Sequence, residues 1–201
     1  MSDSIMFHEG NRRLQDQFDS RRISDRLEEK LTRTAFTDDD RVFIESAAYF
    51  FIATADATGR PDCSFKGGMP GFVRVTGPSE IAFPDYDGNG MFKSLGNVLV
   101  NPNVGLLFIA MHGKPQRLRV NGSASVSDND PLLPRTIGAQ LIIRVAARAI
   151  FPNCPRYIPV MQLNEPSAYA PRPGVEPPEP AWKGFDAFKD CVHPRHPTFT
   201  G

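Results

Sequence analysis

The segment FFIATADATGRPDCSFKGG, residues Phe50 to Gly68, contains two strand patterns separated by a turn. Its first part is a run of aromatic and apolar residues, and its last part alternates around Cys63 to Phe65. The intervening ATADATGRPD combines Gly and Pro with Asp and Thr, which favours a tight turn and interrupts any helical period. An antiparallel hairpin is therefore predicted here.

Short apolar or alternating runs separated by turns continue toward the C-terminus. Eleven of the 16 glycines fall between Gly59 and Gly122, as expected for tight turns between strands. The β-branched run Leu141–Ile150 predicts a further barrel strand. The fold class predicted is mainly β with added helices, in the form of a small antiparallel barrel. The other predicted strands are Tyr49–Ala55, Cys63–Phe65, Phe72–Val75, Ile81–Phe83, Val104–Ile109 and Leu118–Val126.

Helices are predicted on either side of these strands and once between them. The apolar period from Glu9 to Leu31 predicts one amphipathic surface helix. Thr37, followed by three aspartates, is typical of a helix start, and this helix should run to about Ala48. Met91–Val100 is a short helix candidate, and another helix is expected after Asp130 and Pro131.

Composition divides the chain into three parts. Residues 1–36 form a helical extension, residues 37–165 the β domain, and residues 166–201 a proline-rich tail that packs on the barrel or on a partner subunit. Eleven of the 19 prolines lie in residues 151–201, and the segment PRPGVEPPEP (Pro171–Pro180) cannot form a helix or a central strand. The tail is therefore expected to follow a surface.

Charge and length exclude several classes of function. Lys+Arg and Asp+Glu both count 23, so no basic field exists for a nucleic-acid backbone. The longest apolar run, Ala47 to Ala53, is far shorter than a membrane-spanning helix. Three widely spaced cysteines and a polar N-terminus predict a reducing, cytoplasmic location.

Three sequence patterns resemble metal or nucleotide sites but depart from them. Asp85 to Gly90 resembles the first half of a calcium loop, yet Gly96 stands where the bidentate Glu is needed. Phe92 stands where a Walker loop has its second glycine. Cys191, His193 and His196 have ligand-like spacing, but prolines interrupt them. No metal site is predicted.

An anion site is the stronger hypothesis. Lys93 and Ser94 follow a glycine-rich segment at a predicted helix start, where free N–H groups favour a phosphate. Ser64 and Lys66 lie on one face of a predicted strand, and Gly67 permits close approach of a ligand. On another strand Arg117, Arg119 and Asn121 share a face, which is either solvated or a polar ligand wall.

Four segments together resemble the pyridoxamine 5′-phosphate oxidase-like, FMN-binding split-barrel family. They are FFIATADATGRPDCSFKGGMPGFVRV, IAFPDYDGNGMFKSLGNVLVNPNVGLLFI, RLRVNGSASV and FPNCPRYIP, and they span about residues 37 to 165 in order. The chain is most similar to the general FMN-binding branch of this family. The resemblance implies a six-stranded antiparallel split β-barrel that forms a homodimer with FMN at the subunit interface.

The resemblance also implies site residues. The FMN phosphate would be held by Ser64, Lys66, Lys93, Ser94 and Asn97, and the backbone around Phe83, Pro84, Asp85 and Tyr86 would border the isoalloxazine ring. Arg117 and Arg119 occupy a strand that contributes flavin contacts in the oxidase, with Arg117 in place of a glutamine. No catalytic residue is assigned.

The function predicted is an FMN-dependent oxidoreductase that transfers a hydride between flavin N5 and a nicotinamide or a small conjugated substrate. The alternatives are a carrier that binds FMN without turnover, pyridoxamine 5′-phosphate oxidase itself, and a haem-binding relative. The haem alternative needs an axial ligand, for which His112 is the internal histidine available. An interaction domain without a cofactor leaves the cluster of lysines and glycine-rich turns unexplained.

Overall fold

The computed structural model describes residues 4–192, in which seven antiparallel strands form one sheet. The order across the sheet is β2-β1-β5-β6-β7-β4-β3. Four α-helices accompany the strands: α1 (Glu9–Gln17), α2 (Arg21–Leu31), α3 (Asp38–Ser46) and α4 (Lys93–Val100). The strands are β1 (Tyr49–Ala55), β2 (Pro61–Gly67), β3 (Arg74–Gly77), β4 (Glu80–Tyr86), β5 (Asn103–Ala110), β6 (Gln116–Ser127) and β7 (Ala139–Pro152).

The predicted fold class is confirmed, with one difference in strand number. The resemblance implies six strands, whereas the sheet has seven and is not closed, with β2 and β3 as its edges. β7 pairs with β6 along one edge and with β4 along the other, which joins the β3–β4 hairpin to the rest of the sheet. Four strands separate β2 from β4 in this order, so the sheet curls to bring residues of both strands to a common cavity.

The predicted hairpin of β1 and β2 is confirmed. The two strands pair from Tyr49 opposite Gly67 to Ala55 opposite Pro61. The Asp56 carboxylate closes the turn by accepting hydrogen bonds from the N–H groups of Thr58 (2.9 Å) and Arg60 (3.1 Å). This local closure explains why the turn could be predicted from its own residues.

Alternate side chains of the central strands form the core. Phe50 is fully buried, and its ring centroid lies 5.1 Å from that of Phe108 and 4.9 Å from that of Phe83. Ile52 and Val120 are also fully buried. The opposite face of β1, β2 and β5 is only partly covered, because Tyr49, Phe51, Phe65 and Leu107 retain solvent exposure.

Two helix predictions are wrong in extent. The single helix expected from Glu9 to Leu31 is two helices, because the chain closes α1 with a hydrogen bond from the Ser20 N–H to the Gln15 carbonyl (2.7 Å). Asp19 at this break has φ +48°. The helix expected after Asp130 is only a 3₁₀ turn over Leu133–Arg135, since the chain enters β7 soon afterwards.

The other two helix predictions are confirmed. Thr37 caps α3 as expected: its Oγ1 accepts from the Asp40 N–H (3.1 Å), and the Asp40 carboxylate accepts from the Thr37 N–H (2.9 Å). The short helix predicted over Met91–Val100 begins at Lys93 and packs against β1. None of the helices among residues 4–192 is long and apolar enough to cross a membrane.

Candidate functional site

A cavity of about 300 Å³ opens between β2, β4 and the start of α4. It unites residues that the sequence analysis drew from separate segments. Those in its lining are Ser64, Lys66, Gly67, Pro84, Asp85, Tyr86, Lys93 and Ser94. Three other predicted residues, Asn97, Arg117 and Arg119, do not line it.

The β2 wall supplies a hydroxyl and an ammonium. Ser64 and Lys66 lie on the same face of the strand, as its period of two requires. Lys66 is half-buried, and its Nζ is 3.9 Å from Asp85 Oδ1. This separation exceeds hydrogen-bonding distance, so the ammonium retains donors for another acceptor.

The start of α4 supplies a second cation and free backbone donors. The ammonium of Lys93 is exposed, and it forms no ion pair with a residue in the described part of the chain. Phe92 precedes the helix with left-handed backbone angles, φ +46° and ψ +31°. Within residues 4–192 no side chain caps the first turn, so its N–H groups and the positive end of the helix dipole are open to an anion.

Asp62 is a neighbour that the sequence analysis missed. It lies two residues before Ser64 on β2, and the buried Ser94 Oγ donates a hydrogen bond of 3.4 Å to its Oδ2. The period of two that placed Ser64 and Lys66 together was the available signal. Asp62 therefore fixes Ser94 at the edge of the cavity.

The β4 wall is held by Gln140 from the neighbouring strand β7. Gln140 Nε2 donates to Asp85 Oδ2 (2.7 Å) and to the Tyr86 carbonyl (3.1 Å). Burial raises the pKa of Asp85, although the Gln140 hydrogen bond and Lys66 oppose this shift. Burial also raises the pKa of Tyr86 to about 12, so the phenol keeps its proton at neutral pH. Nothing in the local sequence around Gln140 signals this role, because it depends on the register of β4 against β7.

Asn97 and the two arginines lie elsewhere in the single chain. The buried Asn97 donates from Nδ2 to Thr54 Oγ1 (3.0 Å) and so ties α4 to β1. Arg117 and Arg119 lie on the outer face of β6, and Arg119 lines a second cavity of about 610 Å³ beside α2. The Nε of Arg117 is buried and has no hydrogen-bond partner among residues 4–192.

Candidate metal and haem ligands do not converge on the cavity. Among the residues that the structure describes, no three His, Cys, Asp or Glu side chains are grouped as a metal cage. His112 is exposed in the turn between β5 and β6 and does not line the cavity. His193 and His196 lie outside the described residues.

The fold and cavity define an antiparallel β protein with a lysine-lined cavity between β2, β4 and α4. A family model described as pyridoxamine 5′-phosphate oxidase matches residues 36–158. The chain therefore belongs to the pyridoxamine 5′-phosphate oxidase family, which confirms the family resemblance found in its sequence. No curated protein sequence matches the chain.

Solved structures similar to this chain carry different descriptions. A putative pyridoxamine 5′-phosphate oxidase from Lactobacillus delbrueckii is 19% identical, with 59% of this chain and 95% of that chain covered and a TM-score of 0.46. An FMN-binding protein from Syntrophomonas wolfei is 12% identical, with 70% and 97% covered and a TM-score of 0.43. HutZ, the heme storage protein from Vibrio cholerae, is 17% identical, with 56% and 91% covered and a TM-score of 0.43.

Proposed function

We propose that this chain binds FMN in the cavity between β2, β4 and α4, and that it supports hydride transfer between flavin N5 and a nicotinamide or a small conjugated substrate. The observation that carries the proposal is the meeting of Lys66, Lys93 and the uncapped start of α4 at one cavity. Packing of a β domain does not require such a meeting, whereas a phosphate ligand does.

The cationic part of the cavity suits the FMN phosphate. Two ammonium groups and the Ser64 hydroxyl can donate charge-assisted hydrogen bonds to a dianion, whereas the Ser94 hydroxyl already donates to Asp62. The N–H groups of the first turn of α4 add backbone donors, and the helix dipole has the favourable sign. Lys66 is near enough to Asp85 to be oriented but too distant to be neutralised by a direct hydrogen bond.

The remaining lining suits a planar aromatic ring. Phe72, Pro84, Tyr86 and Phe92 give apolar and aromatic surface, and Gln140 fixes the Asp85 carboxyl among them. Bound FMN supplies the hydride-transfer chemistry. The chain's own residues bind the phosphate, orient the ring and exclude water, and the buried Asp85 can hold a proton at its carboxyl.

The proposal includes a homodimer, because the cavity is small and open in one chain. Its volume of about 300 Å³ lies at the lower end for ligand sites. The outer face of β1 and β2 carries an aromatic cluster in which the Tyr49 and Phe65 rings stack at 5.5 Å, and 60% of Phe65 is exposed. A second copy packed on this face would cover the cluster and would bring Arg117 and Arg119 into a subunit interface.

The FMN part of the proposal is tested by an absorption spectrum after FMN addition and desalting, followed by anaerobic NADPH or NADH. Retained yellow colour that bleaches supports a flavin oxidoreductase. Retained colour that does not bleach favours a carrier or another electron donor. Loss of all flavin on desalting would overturn FMN as the ligand.

The homodimer is tested by sedimentation of the wild type, Phe65→Asp and Val42→Asp at micromolar concentration. Val42 is the matched control, since it is 68% exposed and lies on α3, outside the β1–β2 hairpin that carries the aromatic cluster. We expect a dimer for the wild type and Val42→Asp, and a monomer for Phe65→Asp, because a carboxylate would have to be desolvated in the interface. A monomeric wild type would contradict a shared cofactor site.

A further inference from the structure

Lys183 is a buried cation outside the part of the chain that the family model matches. It lies in a 3₁₀ turn over Ala181–Gly184, and only 7% of the residue is exposed. Its Nζ is 3.1 Å from Asp87 Oδ2 and 3.0 Å from Glu179 Oε1. Burial lowers the pKa of Lys183, but these two partners outweigh burial and raise it overall, so the group remains an ammonium. Burial of an ammonium is costly unless the ion is paired, so this arrangement requires an explanation.

The pair with Asp87 lies next to the candidate site. Asp87 follows Asp85 and Tyr86, and it precedes Gly88, Asn89 and Gly90, all of which line the cavity. Gly88, Asn89 and Gly90 belong to no helix or strand. A tether on Asp87 therefore acts on the segment that joins β4 to α4.

A second contact holds the tail to the same region. A Cβ added to Gly138 would lie 2.5 Å from Pro171 Cγ and 3.6 Å from Tyr86 Cδ1, so the tail packs closely on this glycine beside Tyr86. Gly138 has φ +76°, a conformation that favours glycine. The tail thus contacts residues next to the cavity wall: Pro171 packs on Gly138 beside Tyr86, and Lys183 pairs with Asp87.

The charges at the site give this tether a function. Three carboxylates, those of Asp62, Asp85 and Asp87, lie at or beside the cavity, and each would repel a phosphate unless hydrogen bonds or a counter-ion offset its charge. Lys66 is 3.9 Å from Asp85, and Lys183 is 3.1 Å from Asp87. Loss of Lys183 would remove one positive charge from beside Asp87, and the Asp87 carboxylate would then attract Lys66 and Lys93 more strongly, in competition with the ligand.

We propose that Lys183 is a positioning residue for the cavity: it offsets part of the Asp87 charge and fixes the 85–90 segment, which leaves Lys66 and Lys93 available to an anionic cofactor. The proposal rests on the proposed function, because it assumes that the ligand of the cavity is FMN. It makes the C-terminal tail a part of the binding site, although the tail does not line the cavity.

The test is FMN titration of the apo-protein, together with hydrogen exchange of the 85–93 segment without FMN. The variants are Lys183→Met, Lys183→Arg and Lys183→Met with Asp87→Asn, and the matched control is Lys189→Met. Lys189 lies in the tail as well and pairs with Asp186 at 2.7 Å, but both members of that pair are exposed. Methionine keeps the bulk of the lysine stem, which preserves packing in this buried position.

We expect Lys183→Met to weaken FMN binding about tenfold and to speed hydrogen exchange of residues 85–93. Lys183→Arg and the double variant should recover most of the affinity, since the first restores the cation and the second removes the carboxylate that needs it. Lys189→Met should match the wild type.

Two outcomes would overturn the proposal: an unchanged FMN affinity in Lys183→Met, or a double variant that binds FMN no better than Lys183→Met alone. Failure of the proposed function looks different, because the wild type itself would then not bind FMN. In that case hydrogen exchange decides: faster exchange in Lys183→Met supports the tether, and unchanged exchange overturns it.

Discussion

The two ends of the β4–β7 strand pair hold cations in opposite situations. At one end Arg144 donates to both carboxylate oxygens of Asp130 (2.5 and 3.0 Å) and to Glu80 Oε1 (2.6 Å). At the other end, beside the cavity, Lys66 has only a 3.9 Å approach to Asp85. Where a cation only links neighbouring strands and loops, as Arg144 does, the chain itself supplies its hydrogen-bond partners.

This difference separates structural from functional charge. Arg144 is satisfied by the chain itself, and these partners raise its pKa while lowering the pKa of Asp130. Lys66 and Lys93 keep unused donors at a cavity, where an external anion would complete them. The comparison therefore predicts that mutations at the first end change stability and mutations at the second end change binding.

Arg144→Ala should give the largest effect. It leaves the buried Asp130 carboxylate without its partner, which should lower the free energy of unfolding by about 3 kcal/mol. Urea denaturation measures this loss. Because Arg144 lowers the pKa of Asp130, the stabilisation is present above the unfolded pKa near 3.8 and disappears as pH falls through the lower folded value. The effect of the mutation should accordingly shrink in acid.

Arg60→Ala is the control for Arg144→Ala. Arg60 pairs with Asp56 at 2.6 Å, but its side chain is 81% exposed, so we expect a change below about 0.5 kcal/mol. Both variants should bind FMN as the wild type does when assayed well below their melting temperatures. Weaker FMN binding by Arg144→Ala under those conditions would contradict the assignment of Arg144 to stability alone.

Lys66→Ala combined with Lys93→Ala should give the next largest effect, on binding alone. Loss of two charge-assisted contacts should weaken FMN binding about 100-fold, with a change in unfolding free energy below about 1 kcal/mol. Fluorescence titration and urea denaturation measure the two quantities. The matched control is Lys114→Ala with Lys189→Ala, since both lysines are exposed and away from the cavity. An unchanged FMN affinity would remove the lysines from the site.

The hairpin of β1 and β2 could be predicted because its signals are local. The turn is closed by the side chain of Asp56, and the period of two put Ser64 and Lys66 on one face. The break between α1 and α2 had a weaker local signal, which the sequence analysis did not use. Apolar residues lie four apart within each part of the segment, but the step from Phe18 to Ile23 is five residues, and the break falls there.

The site was predictable only where its residues follow such local rules. Gln140 reaches Asp85 through the register of β7 against β4, which no short segment encodes. Asn97 was expected to hold the phosphate, but in this chain its side-chain amide donates to Thr54 on β1, a partner 43 residues away in the sequence. Lys183 contacts Asp87 across a long separation in sequence, so this ion pair beside the cavity could be found only from the structure.

Asp85→Asn tests whether burial beside the cavity raises the pKa of the Asp85 carboxyl. Burial raises the pKa of Asp85, so the ionised carboxylate destabilises the folded state as pH rises from its unfolded value near 3.8 through the higher folded value. The variant should therefore be more stable than the wild type at neutral pH, and this advantage should vanish near pH 4. Thermal unfolding across this pH range measures it. A constant difference between the two proteins would contradict the assigned burial effect.

Phe92→Gly should have the smallest effect on stability, and it tests whether a backbone position beside the cavity affects binding rather than stability. Phe92 and Asp19 are non-glycine residues with positive φ, +46° and +48°, in the described part of the chain, and only Phe92 borders the cavity. Glycine relieves a left-handed strain of about 1 kcal/mol at either position, but it also increases the conformational entropy of the unfolded chain, so both variants should stay within about 1 kcal/mol of the wild type.

Asp19→Gly should leave FMN affinity unchanged. Phe92→Gly should weaken FMN binding several-fold, because a flexible residue no longer fixes the N–H groups at the start of α4 toward the cavity. Equal FMN affinities in the two variants would show that the left-handed Phe92 serves only the path of the loop, as Asp19 does between α1 and α2.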